Sequence, residues 1–214
     1  MANPGNPFTS TGGWERTMAK KRKAATGSMT SRLAPLDEAQ MTPAQIALRD
    51  SITKSRGKVV FGGPFAVFVR APEYGDLAQK LGAHCRYGSG IEPRLSEFAI
   101  LVVARWWKSQ FEWYSHAPIA EKAGVKPQTI KDLRAGRVPK AAAKDERALY
   151  DFITELYKTR RVSQKNYDRV RAVLGDTGVI ELTGILGYYA LVSITLNVFR
   201  MPLPEGEPLP FAER

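Results

Sequence analysis

The sequence predicts an all-α protein, and three observations carry that reading. From about residue 40 to 205, apolar residues recur at helical spacing in one segment after another. Helix signals punctuate those segments: Thr42-Pro43, Glu92-Pro93 and Pro127 open them, and Gly57, Gly124, Gly136 and Gly175 follow their ends. Alternating strand patterns are confined to Lys58–Phe61 and Phe65–Val69.

Taken in order, Thr42-Pro43-Ala44-Gln45 offers an N-cap, a proline suited to N1 and a glutamine able to close a capping box. The first helix is therefore expected from Pro43 to about Arg56. A Gly62-Gly63-Pro64 loop leads into the short apolar run Phe65–Val69, which reads as a strand if any segment does. A second helix is expected from Pro72 to about Arg86, where Gly88 and Gly90 break the chain. Leu95–Trp107 is apolar in nearly every direction and should be central. A helix from Ser109 to Gly124 follows, then a short one from Pro127 to near Gly136. Two longer helices, Ala141–Thr159 and Ser163–Leu174, come next, the second with Ser163 as cap and Gly175 as stop. An apolar helix from Asp176 to Phe199 closes the domain, and a Pro-rich tail ends the chain. No heptad run, solenoid repeat, Gly-rich phosphate loop or paired-His zinc motif is present.

Three units follow: a disordered basic tail at 1–40, a helical domain at 41–205 and a short tail at 206–214. The 214 residues, 43% of them hydrophobic, can bury a sizeable core. A single cysteine, Cys85, excludes an intrachain disulfide, a Cys-x-x-Cys redox pair and a thiolate zinc cluster. A reducing cytoplasm is the expected compartment. The net charge is +11, but almost half of the excess lies in residues 1–33, where Arg16, Lys20, Lys21, Arg22, Lys23 and Arg32 face Glu15 alone. That cluster suits a localisation signal or a nucleic-acid arm. A solvated tail, or translation truly starting at Met18 or Met29, explains it more simply, so nucleic acid is not an expected partner. No apolar run follows the cluster, so no secretory signal is expected. Leu182–Phe199 is eighteen residues without a charge, at the short end for a membrane span. It carries Thr183, Ser193, Thr195 and Asn197, has no aromatic belt at both ends, and is read as a buried helix rather than a membrane partner.

Chemistry is expected around Glu97, Glu112 and His116. Glu97 sits in SEFAILVVARWW, where burial would demand a partner or a raised pKa; a first-turn position near solvent would explain it as well. His116 follows Glu112 by four residues and Ser109 by seven, so the three share one helix face. A His–carboxylate pair there can move protons near neutral pH. Ser109-x-x-Glu112 has capping-box spacing too, and both residues then merely start the helix. No Gly-x-Ser-x-Gly elbow supports a serine hydrolase.

The spacing Glu97-x11-Ser109-x2-Glu112-x3-His116 resembles the carboxymuconolactone decarboxylase / alkyl hydroperoxidase D superfamily. In the hydroperoxidase branch, cysteines stand where this chain has Ser109 and Glu112. His116-x3-Ala120-x3-Gly124-Val125 and the late segment ELTGILGYYALVSITLN are similar to that superfamily as well, so the resemblance spans roughly residues 43–204. It implies an all-α, alkyl hydroperoxidase D-like helical domain, a homo-oligomer (trimer or hexamer) and no cofactor. Thiol peroxidase activity is not expected, because serine forms no thiolate, sulfenic acid or disulfide. What the resemblance implies instead is a cofactor-free acid/base lyase acting on a small carboxylated or lactone substrate. His116 would be the general acid, Glu97 its partner and Glu112 a proton shuttle. Ser109, Arg86, Arg94 and Tyr188 are the candidate substrate-binding residues, with Asn197 a further candidate for the pocket wall. The alternative is a redox-inactive relative that binds a small molecule without turning it over.

Overall fold

Eight helices carry the chain, and no strand occurs among the described residues, which in this computed structural model are 29–56 and 62–212. They are α1 Pro43–Arg56, α2 Gly63–Phe68, α3 Pro72–Ala83, α4 Pro93–Trp106, α5 Gln110–Lys122, α6 Pro127–Arg134, α7 Lys144–Thr159 and α8 Gln164–Phe199. The start of α1 is the expected capping box: Gln45 N–H donates to Thr42 Oγ1 at 3.3 Å and Thr42 N–H to Gln45 Oε1 at 2.9 Å. Four of the helices (α1, α3, α4 and α6) have proline as their first residue, where its missing N–H costs nothing.

α4 is the axis of the domain. Every residue from Leu95 to Ala104 is buried, and α5, α7 and α8 pack around it. Each large apolar side chain so enclosed contributes about 1.5–3 kcal/mol. The expected all-round apolar helix is therefore central, as its lack of a polar face requires.

Several local expectations need correction. Phe65–Val69 is no strand: Pro64 starts a short helix, α2, that buries Ala66 and Phe68. With no neighbouring strand to take its backbone groups, an isolated extended run would leave them unpaired. The other strand candidate, Lys58–Phe61, lies outside the described residues. The second helix ends at Ala83 rather than Arg86, and the chain continues through a wider π-helical turn, His84–Gly88. α7 begins at Lys144, three residues late, because Glu146 Oε2 accepts the Ala143 N–H at 2.8 Å and sets the start there. The last two expected helices run on as α8, broken at Gly175, whose φ of 71° and ψ of 176° are open chiefly to glycine. Ser163 caps the first part through the Asn166 N–H.

The termini are also more engaged than expected. Within the basic tail, residues 1–28 lie outside the described set. Arg32, however, donates its N–H to Phe199 O at 3.0 Å, and Met41 is buried. At the other end Phe211 is buried and exchanges two hydrogen bonds with the Gln110 side chain, at 2.8 and 2.9 Å. The folded unit thus extends past 205. α8 is long and apolar enough to cross a membrane by length and composition, but half of its most apolar window is buried inside the protein.

Candidate active site

Glu97 lies one turn into α4 and is only 5% exposed, so the solvent-facing first-turn reading fails. Burying a carboxylate is costly without partners, and α5 supplies one. His116 Nδ1 lies 2.6 Å from Glu97 Oε2, and His116 Nε2 lies 3.1 Å from Glu112 Oε1. The i, i+4 spacing within α5 makes the second contact, and the packing of α5 on α4 makes the first. All three side chains are buried.

The imidazole is thus held between two carboxyl groups. Burial alone lowers its pKa, but the hydrogen bonds and charges of Glu112 and Glu97 outweigh that and lift it to about 9. The raised pKa favours the imidazolium, whose two N–H groups match the two carboxyl acceptors. Tyr189 packs edge-on against the ring at 5.2 Å, and Tyr188 against Tyr189 at 5.3 Å.

The capping-box reading of Ser109-x-x-Glu112 fails for a specific reason. The Ser109 N–H already donates to Ala104 O at 2.9 Å, so Glu112 has nothing to cap and turns to His116. Ser109 Oγ is buried with no hydrogen-bond partner.

Glu112 and His116 open onto a cavity of about 110 Å³ between α1, α2, the π-helical turn, α5 and α8. Arg86 and Tyr188, two of the expected binding residues, line it. Ser109 and Arg94 do not. Arg94 is committed elsewhere: its guanidinium binds Asp145 at 2.6 Å, Glu146 at 3.0 Å and Glu92 at 3.2 Å. Asn197 is likewise occupied, donating to Trp107 O at 2.8 Å and so closing the end of α4. Tyr188 reaches the cavity because α3 has a glycine opposite it. A Cβ on Gly82 would sit 2.1 Å from the Tyr188 hydroxyl oxygen. Burial pushes the Tyr188 pKa well above its ordinary value, so the phenol stays a neutral donor.

Arg56 was not expected in the site. It ends α1, donates to Gln79 O at 3.0 Å and stacks over Phe65 at 4.9 Å, while its Nε is buried without a partner. Neither Arg56 nor Arg86 has an ion-pair partner among the described residues. In sequence, Arg56 carries no mark beyond being the last residue before Gly57. No group of three or more His, Cys, Asp and Glu side chains among the described residues is arranged to hold a metal ion. Cys85, the chain's one thiol, is buried, and that burial pushes its pKa up, away from the reactive thiolate.

No protein-family model and no curated protein matches the chain. Solved structures do. An uncharacterised peroxidase-related protein from Silicibacter sp. superposes with a TM-score of 0.63 at 14% identity, over 91% of this chain and 100% of that one. A protein of unknown function from Agrobacterium tumefaciens, described as a candidate antioxidant-defence protein AhpD, gives a TM-score of 0.55 at 20% identity, over 62% of this chain and 92% of that one. The chain, with Cys85 as its single cysteine, has the alkyl hydroperoxidase D-like helical fold.

Proposed function

We propose that the protein is a cofactor-free acid/base lyase acting on a small carboxylated or lactone substrate. The observation that carries this reading is a buried Glu97–His116–Glu112 cluster opening onto a cavity that also holds two arginines without an ion-pair partner among the described residues. By formal charge, the triad with a protonated imidazole carries one net negative charge, and Arg56 and Arg86 carry two positive. The balance favours a monoanionic ligand. A cavity of about 110 Å³ is small beside the ~300–1,000 Å³ of drug-sized sites, which favours a compact acid.

In the proposed reaction Arg56 and Arg86 bind the substrate anion, and Tyr188 donates to the carbonyl oxygen that gathers charge. The C–C bond to the carboxylate breaks, carbon dioxide leaves, and the electron pair passes into the carbonyl as an enolate. The imidazolium passes its Nε2 proton to the Glu112 carboxylate, which hands it to the α-carbon, and the imidazole left neutral is reprotonated from solvent. His116, with both nitrogens engaged, is the proton reserve, and Glu112 delivers. Glu97 orients the ring.

The test is turnover of small β-keto acids and carboxylated lactones in D₂O, with carbon dioxide release and deuterium at the α-carbon as readouts. His116→Gln should lower both by about 10²–10⁴-fold. A ligand that raises Tm, is recovered unchanged and gains no deuterium would instead establish a binding protein.

We also propose a homo-oligomer. Ile180, Gly184, Gly187, Leu191, Ile194 and Val198 follow one another at alternating steps of four and three along the outer face of α8. All but half-buried Leu191 are exposed. This is the spacing of a helix–helix seam. It was hidden in the sequence because the inner face is equally apolar. Ile194→Glu should shift the protein to a smaller species by light scattering, and an unchanged mass would remove α8 from the interface.

A further inference from the structure

A second cleft lies where the ends of α4 and α6 meet the C-terminal segment. It encloses about 410 Å³ and shares no residue with the active-site cavity. Five basic side chains line it: Arg105, Lys108, Lys131, Arg134 and Arg137. Only Arg137 has an ion-pair partner among the described residues, Asp132 at 2.7 Å. Arg134 spends its Nε on Pro210 O at 2.8 Å and keeps its other N–H groups. Part of this charge complements the carbonyl ends of the two helices. That role needs charge near each last turn, but not its convergence on one cleft.

Arg105 shows the most construction. Its guanidinium lies over the Phe211 ring at 5.4 Å and against Gly136, where a Cβ would come within 2.5 Å of its terminal nitrogen. Its Nε is buried without a hydrogen-bond partner. Phe211 is itself fixed by Gln110 and by packing on Trp113 at 5.2 Å. The cation therefore lies close to a glycine and to an aromatic ring, and among the described residues its Nε has no acceptor.

Arg105 and Arg137 also wall a neighbouring hollow of about 240 Å³, whose lining includes Val102, Trp106, Leu133 and Tyr150. A basic cleft thus adjoins, across shared arginines, a hollow that adds Trp106 and Tyr150 to a third cation, Lys158. Guanidinium forks suit phosphate oxygens, and aromatic walls suit a flat ring.

We infer that this paired cleft binds a phosphorylated planar small molecule of the nucleoside phosphate class. The phosphates lie among Arg105, Lys131 and Arg134, and the base lies against Trp106. No bond is made or broken in this binding, and it is independent of the lyase reading.

Calorimetric titration of the full chain with ADP, adenosine, pyrophosphate and a series of single-stranded oligonucleotides tests it. Saturable 1:1 binding of ADP that weakens with added salt is expected, with no detectable binding of adenosine. Arg105→Met should raise the ADP Kd at least tenfold, and Trp106→Leu should weaken ADP but spare pyrophosphate. Should Arg105→Met fail to fold, the surface pair Lys131→Gln/Arg134→Gln serves, with the same expected loss. Absence of ADP binding at millimolar concentration, or an ADP Kd unmoved by these variants, overturns the proposal. Pyrophosphate binding as tightly as ADP removes the planar group from it. Affinity that climbs with strand length replaces it with a nucleic-acid track.

Discussion

Arg94 and Glu97 stand three residues apart on α4, and each anchors a charged cluster, yet the clusters differ in kind. The Arg94 cluster is self-sufficient. Its cation meets Asp145, Glu146 and Glu92, while Glu146 also holds the Ala143 N–H and Asp145 the Glu146 N–H. Those bonds fasten the start of α7 to α4 and use up the donors. The Glu97 cluster differs in its setting: one imidazole lies between two buried carboxyl groups, and Glu112 and His116 face a cavity. A network whose groups all fasten one helix to another is a strut, whereas a buried His–carboxylate cluster beside an opening is placed for proton transfer.

The sharpest way to break the comparison is to remove one member of each cluster. Glu97→Ala leaves a buried imidazole without one of its two carboxylates and should lower unfolding free energy by about 3–5 kcal/mol in urea denaturation. Proton-transfer activity should vanish with it. If stability is unmoved, the cluster is solvated and the site reading fails.

The second test is pH. Because the folded His116 pKa, about 9, exceeds the ordinary 6.5, its protonation stabilises the native state fully below pH 6.5. That contribution is lost as pH rises through about 9. At about 1.4 kcal/mol per unit, the loss is on the order of 3 kcal/mol. Tm should fall across that window in the wild type and much less in His116→Gln. Equal pH profiles would place the proton elsewhere.

The smallest expected effect belongs to Arg94→Met. Glu146 loses its cation but keeps the Ala143 N–H, so about 1–3 kcal/mol should go, with turnover per folded molecule unchanged. Loss of activity at full stability would return Arg94 to the substrate.

The comparison also shows where sequence reasoning stopped. Arg86 and Arg94 looked alike as substrate ligands, since charge type was the ground for naming both. What separates them is the position of α7, whose Asp145 and Glu146 lie some fifty residues away in the chain. Arg56 was invisible for the same reason, because its role depends on α1 reaching α5 and α8. The basic cleft gathers residues from α4, α6 and the C-terminal segment, so no local pattern announced it.

By itself the sequence determined the helices other than α2, through caps, prolines, glycines and apolar spacing, because those are interactions within a few residues. It also determined that a cysteine pair is missing, and the i, i+4 spacing that lets Glu112 reach His116. Only the tertiary structure decided that Glu97 is buried, that it completes the relay, and which arginines remain free. Burial and charge balance are set by what packs against a residue from elsewhere in the chain. The feature that points most strongly to chemistry here, a buried imidazole between carboxyl groups of two helices beside a cavity, comes into being only when α4 and α5 meet.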